Sequence, residues 1–206
     1  MKKRVVTIAR QYGSGGREIG SRVAELLGVP LYDEELTRAA AEAGNLHPEV
    51  AENADERATE SLLYNLALGM GFHAPGQAHL PVNDRLFLLQ SDYIRARAEE
   101  GGVFIGRCSD YILRANPSRY SLFVHAPLME RRARIMTRHP ELSEGAALDL
   151  IRKTDRRRAS YYSFYTGGKW GKSENYHMML DSHALGIEGS AAVIAEAVKR
   201  FTEEDA

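Results

Sequence analysis

The chemistry-bearing stretch of this sequence is Arg10-Gln11-Tyr12-Gly13-Ser14-Gly15-Gly16-Arg17-Glu18-Ile19-Gly20. It follows a strand expected over Arg4 to Ile8 and opens a helix. Gly13, Gly15, Gly16 and Gly20 free the backbone to take positive φ and to approach a ligand closely. The helix start adds unpaired N–H groups and the positive end of a dipole, so the stretch suits an anion, and phosphate above all. Glu18 stands where a dinucleotide fingerprint needs its third glycine. Against the mononucleotide pattern G-x-x-x-x-G-K-[ST], Gly16 is in register, but Gln11 replaces the first glycine, Arg17 the lysine and Glu18 the hydroxyl residue. A glycine-rich turn with no ligand is the competing account.

Three further groups could share that chemistry. Arg131, Arg132, Arg134, Arg138, Arg152, Lys153, Arg156, Arg157 and Arg158 crowd between Glu130 and Ser160. A solvated helix face with partners at Glu144, Asp149 and Asp155 would explain such a run. The preponderance of arginine, whose planar fork suits phosphate, and the position between the last two expected strands favour a segment that closes over phosphates and excludes water. Gly167-Gly168 and Gly171 could hinge it, and Tyr161, Tyr162, Phe164, Tyr165 and Trp170 would pack it down. Arg107 ends an apolar strand, where open α/β sheets bind ligands. Asp33 and Asp110 each read either as helix caps or as carboxylates turned to that crevice, Asp110 toward an exocyclic amine.

The elements that position these groups alternate. Strands are expected at Arg4 to Ile8, Pro30 to Tyr32, Val103 to Gly106, Tyr120 to His125 and Tyr176 to Leu180. Helices are expected from Ile19, over Glu34 to Ala43, over Asp84 to Glu100, over Leu128 to Thr137 and around Ala191 to Val198. Five strands interleaved with helices make a doubly wound, mostly parallel α/β sheet. The region from Gly44 to Asp84 reads as an insertion, with Leu62, Leu63, Leu66, Ala67 and Met70 at helical spacing. That apolar face packs on the core or is shared with a second subunit in a homo-oligomer through residues 58–80.

The totals bound the function. The chain has 206 residues, 44% hydrophobic and 27% charged, with a net charge of −1. It suits one domain, and it lacks the basic excess of a binder of DNA or RNA polymers. No signal peptide or membrane span is read, which makes a cytoplasmic location the expectation. The single cysteine, Cys108, rules out an internal disulfide, and no histidine pair has ligand spacing, so no protein-held metal is expected beyond the magnesium of a nucleotide.

Taken in order, the motifs resemble the cytidylate kinase-like proteins. They are Thr7 through Gly20, Val29-Pro30-Leu31-Tyr32-Asp33, Val103 through Asp110, Tyr161-Tyr162, Trp170-Gly171, Asn175-Tyr176 through Asp181-Ser182, and Leu185-Gly186. The resemblance implies a P-loop nucleoside-monophosphate-kinase fold: a five-stranded parallel sheet of order 2-3-1-4-5 flanked by helices, with an arginine-rich lid. The whole of 1–206 would be one domain, with 34–100 a helical acceptor-binding insertion and 128–172 the lid. It implies ATP and magnesium as cofactors, and transfer of phosphate from ATP to CMP or dCMP. Carried over by position, Gly13, Ser14, Gly15, Gly16, Arg17, Glu18 and Arg134 would hold ATP. Arg17, Arg131, Asp155 and Arg158 would be catalytic, and Asp33, Arg107 and Asp110 would bind the acceptor. The departures are Arg17 for lysine, Glu18 for a hydroxyl, and Cys108 where that family has an aspartate. The alternatives are a catalytically weak nucleotide-binding or regulatory protein, and a kinase of another small phosphorylatable metabolite.

Overall fold

The computed structural model describes residues 4–45, 47 and 80–203. Its strands are β1 (Val5–Arg10), β2 (Leu31–Tyr32), β3 (Gly102–Ile105), β4 (Arg119–His125) and β5 (Met178–Asp181). Its helices are α1 (Gly16–Leu27), α2 (Glu34–Ala43), α3 (Val82–Ala98), α4 (Ser109–Ile112), α5 (Leu128–Arg138), α6 (Glu144–Thr166) and α7 (Ser182–Glu203). All the strand pairs are parallel and the order is β2-β3-β1-β4-β5. The helix expected around Leu62 to Met70 lies outside the described residues, as does all but residue 80 of the expected subunit contact.

Alternation along the strands divides the core. Val6, Ile8, Val103, Ile105, Leu122 and Val124 turn to one face, where Ile19, Val23 and Leu27 of α1 meet Ile194 and Val198 of α7. Val5 and Phe104 turn to the other, against Leu36, Phe87, Ile94, Tyr161, Tyr162 and Tyr165. A parallel sheet covered on both faces needs this continuously apolar kind of strand, because successive side chains point to opposite sides. The tyrosines of α6 therefore do pack that helix onto the sheet, with Tyr165 stacked on Phe87 at 4.0 Å between ring centroids.

Boundaries shift by a few residues from expectation for local reasons. Pro81 precedes α3, which starts at Val82 rather than Asp84. Proline has no N–H to lose at a helix start, where that donor is unpaired anyway. Gly167, expected as a hinge, is the left-handed C-cap of α6 at φ 68°. Helix α7 runs through a break at Gly186, whose φ of 66° and ψ of −179° are not helical.

Strand order reverses around β1, whose neighbours β3 and β4 lead their chains to opposite sides. The loop after β1 thus lies at the topological switch point, above the carboxyl ends of the strands, where crevices open in such sheets.

Candidate active site

The glycine loop between β1 and α1 is shaped by φ of 79° at both Gly13 and Gly15. A side chain at Gly13 would be strained by that angle and would also place its Cβ 2.9 Å from the Arg131 carbonyl oxygen. Gly16 and Gly20 serve closeness instead: a Cβ there would come 2.6 Å from Arg10 Cβ and 2.5 Å from Ile105 Cδ1. Gly15 caps α1 without a side-chain bond. The N–H groups of Gly16, Arg17 and Glu18 consequently have no intrahelical acceptor, which is the provision an anion uses.

Arginines of α5 and α6 hold this loop through its backbone. Arg131 donates to the Tyr12 carbonyl at 3.3 Å, Arg134 to the Gly13 carbonyl at 2.8 Å, and Arg158 to the Arg10 carbonyl at 3.1 Å. Asp155 ties the arrangement together, because its Oδ1 accepts the Tyr12 N–H at 2.7 Å and its Oδ2 pairs with Arg131 at 2.6 Å. Four of the residues that the resemblance assigns to nucleotide binding or catalysis are thus engaged with the loop's own backbone or with each other.

The opposite wall is built on side chains. Asp33 precedes α2 but makes no capping bond. Its carboxylate accepts Arg17 Nε at 2.8 Å and lies 3.5 Å from Arg107 Nη1, so of its two readings the one at the sheet's carboxyl edge is realised. Arg17 also pairs with Glu34 at 2.9 Å, and Arg107 reaches Thr37 Oγ1 at 3.5 Å. Arg107, 8% exposed, takes φ 51° and Cys108 φ 54°, two left-handed non-glycine residues in succession. Strain of that kind gathers at sites where side-chain direction matters, and here it aims Arg107 at Asp33. Glu18 pairs with Arg138.

Asp110 sits below this wall, 5% exposed, and accepts the Tyr162 hydroxyl at 2.8 Å. Burial pushes its carboxyl above the usual range, opposed by Tyr162, by backbone N–H groups at the start of α4 and by Arg119. Tyr162 is in turn pushed up, first by burial and then by Asp110. The carboxylate is spent within α4 and on Tyr162, beside a small void lined also by Arg107 and Trp170.

Between the two walls lies a crevice of about 330 Å3 lined by Gly13, Gly15, Gly16 and Glu18, with six arginines: Arg10, Arg17, Arg107, Arg138, Arg157 and Arg158. Ser14 is fully buried, accepts Ser182 Oγ on its carbonyl at 2.5 Å, and has a hydroxyl with no partner among the described residues. It does not line the crevice. Among the described residues no three His, Cys, Asp or Glu side chains cluster as metal ligands. With Glu18 on Arg138, and Asp33 and Glu34 on arginines, the residues present do not fit a magnesium ion held by the protein itself. Glu34 and Thr37 were not singled out from the sequence, whereas Arg10 was named only within the opening stretch and Arg138 and Arg157 only as members of the basic run. For Thr37 the signal was present, since it lies one helical turn after Asp33 on the same side of α2.

Among the solved structures that resemble the chain, an uncharacterized protein from Eubacterium ventriosum ATCC 27560 is 26% identical with a TM-score of 0.74, covering 97% of this chain and 99% of that one. A shikimate kinase from Bacteroides thetaiotaomicron is 14% identical with a TM-score of 0.53, over 95% and 98%. TT1252 from Thermus thermophilus is 22% identical with a TM-score of 0.50, over 97% and 98%. The last two show the fold alone. No curated protein matches the chain. The family model described as the cytidylate kinase-like family matches residues 5–184, covering both walls of the crevice and the arginine helices. With the parallel sheet of order 2-3-1-4-5 already in place, the chain belongs to the cytidylate kinase-like family and is a kinase-type phosphotransferase.

Proposed function

We propose that the chain transfers the γ-phosphoryl group of ATP to the phosphate of CMP or dCMP. The observation that carries this reading is the two-walled crevice: a glycine loop with a helix N-terminus on one side, and Arg107 beside Asp33 on the other. The first wall suits a donor polyphosphate and the second an acceptor that is itself anionic. An oxygen of the acceptor phosphate bonds to the γ-phosphorus as the bond to the β,γ-bridging oxygen breaks. A dianionic acceptor phosphate needs no general base, so positioning and cationic stabilisation are what the protein must supply. Magnesium, which would screen the donor's charge, would arrive bound to the nucleotide. In this reading residues 34–100 hold the acceptor and 128–172 cover the donor, within one domain of cytoplasmic nucleotide metabolism.

Purified protein given ATP and each nucleoside monophosphate in turn tests this, with ADP formation followed. CMP or dCMP should stimulate ADP release well above ATP alone. If no acceptor does so while ATP still binds, the chain is a nucleotide-binding or regulatory protein instead. A kinase of another small phosphorylatable metabolite is favoured by one observation, the burial of Asp110 beneath Tyr162, which leaves that carboxylate poorly placed to read a cytosine amine. Turnover with a non-nucleotide acceptor and none with CMP or dCMP would establish it.

A further inference from the structure

The crevice arginines differ in what they already hold. Arg17 is bound by Asp33 and Glu34, Arg107 faces Asp33 and Thr37, and Arg138 holds Glu18. Arg158 donates to the Arg10 carbonyl and lies over the Tyr12 ring at 5.7 Å. Arg10 is engaged as well. Arg157 also lines the crevice, is exposed, and has no hydrogen-bond or ion-pair partner among the described residues.

The helix explains the contrast between two adjacent arginines. The inward stripe of α6 runs through Ala147, Ile151, Thr154, Tyr161 and Tyr165, all buried. Arg158 falls on that stripe, at i+4 from Thr154 and i−3 from Tyr161, and is held against the loop. Arg157 is one residue, or about 100°, off it, and reaches the crevice from the side. Its backbone is nevertheless fixed, because Asp155 two residues earlier accepts the Tyr12 N–H at 2.7 Å. A fixed base with an uncommitted guanidinium is what a phosphate contact requires. An arginine already forked onto a carboxylate must surrender that pair before it can serve.

We infer that Arg157 is the arginine that contacts the terminal phosphoryl group of the donor, whereas Arg158, at the position the family resemblance assigns to catalysis, positions the glycine loop. The inference rests on the kinase reading for its chemistry. As the bridging P–O bond breaks and the acceptor P–O bond forms, charge on the equatorial oxygens is met by the Arg157 guanidinium, with no proton transferred. Neighbouring Arg152, Lys153 and Arg156 bound a hollow of about 460 Å3 that Arg157 joins to the crevice mouth. The positive field there would draw a polyphosphate toward this arginine.

The test compares Arg157→Ala, Arg157→Lys and Arg156→Ala in the full chain. Binding of ATP, ADP and inorganic tripolyphosphate is measured by calorimetry, and turnover with whichever acceptor supports it. In Arg157→Ala, affinity for ATP and tripolyphosphate should fall about tenfold while ADP, lacking the terminal group, stays within twofold. Turnover should fall about a hundredfold, with partial recovery in Arg157→Lys. Arg156→Ala, which takes one charge from the hollow and leaves Arg157 in place, should weaken ATP, ADP and tripolyphosphate alike and by less than about twofold. An equal loss for ADP, or no loss for tripolyphosphate in Arg157→Ala, overturns the assignment. Because the tripolyphosphate measurement needs no acceptor, it decides Arg157 even if no acceptor turns over and the kinase reading fails.

Discussion

The two walls of the crevice use arginine in opposite ways. On the loop side Arg131, Arg134 and Arg158 bind carbonyl oxygens and so fix backbone, Arg131 being matched as well by the Asp155 carboxylate. On the acceptor side Arg17 and Arg107 bind carboxylates, so their charge is largely matched and their role is to set the placement of one another. For Arg17 the difference is one of burial too, whereas Arg107 and Asp33 are buried like the loop-side pair. Arg131 and Asp155 are 9% and 19% exposed as side chains, whereas Arg17 is 58% exposed. Loop-side contacts should therefore carry stability, and those of Arg17 should carry selectivity.

The largest effect that would break this comparison comes from Asp155→Ala. It leaves Arg131 without its carboxylate and the Tyr12 N–H without its acceptor in a largely enclosed place. Removing one member of such a pair costs about 2–4 kcal/mol. Urea unfolding should show that loss, and ATP affinity should fall with it because the loop is no longer held in shape. A variant as stable as the wild type would mean that the clamp is incidental to the fold, and the contrast between the walls would go with it.

Arg17→Gln is the matching change on the other wall and should behave differently. Its carboxylate pairs are exposed enough that their contribution to stability is at most about 1 kcal/mol. Its effect should be on the acceptor, because Asp33 loses a partner and Arg107 loses the network that orients Asp33. KM for the acceptor should rise about tenfold while KM for ATP moves less than about threefold, a tenfold change being about 1.4 kcal/mol. The reverse pattern would return Arg17 to the role of the P-loop lysine and erase the division of labour.

That division could not be read from residue types. The glycine pattern announced the loop, and the continuous apolar runs Val103 to Ile105 and Leu122 to Val124 announced buried strands, because both are local consequences of backbone geometry. The arginine-rich stretch announced positive charge for the same reason. What each arginine holds is a long-range matter: Asp155 reaches Tyr12 across 143 residues, and Arg158 reaches Arg10 across 148. Helix α6 itself was partly visible as spacings of three and four through Ala147, Ile151, Thr154, Tyr161 and Tyr165. Following that stripe would have separated Arg158 from Arg157. For Asp110 no local signal existed, since its partner Tyr162 comes from the same helix as the lid arginines, 52 residues away.

The smallest effect concerns what supports the acceptor wall, the strained turn of Arg107 and Cys108 followed at once by buried Asp110. Burial holds the Asp110 carboxyl above its ordinary value of 3.8, so the folded chain keeps that proton to higher pH than the unfolded chain does. The folded state binds the extra proton in that window, and the contribution to stability is complete below about 3.8 and is lost as pH rises through the folded-state value. Asp110→Asn stays neutral throughout and keeps an oxygen for the Tyr162 hydroxyl. Relative to the wild type it should gain stability between pH 4 and pH 7, with the gap widening as pH rises. Urea midpoints taken across that range would show it. Parallel curves for the two proteins would mean that Tyr162, Arg119 and the α4 backbone fully compensate the buried charge. The acceptor wall would then rest on a carboxylate as settled as the one that clamps the loop.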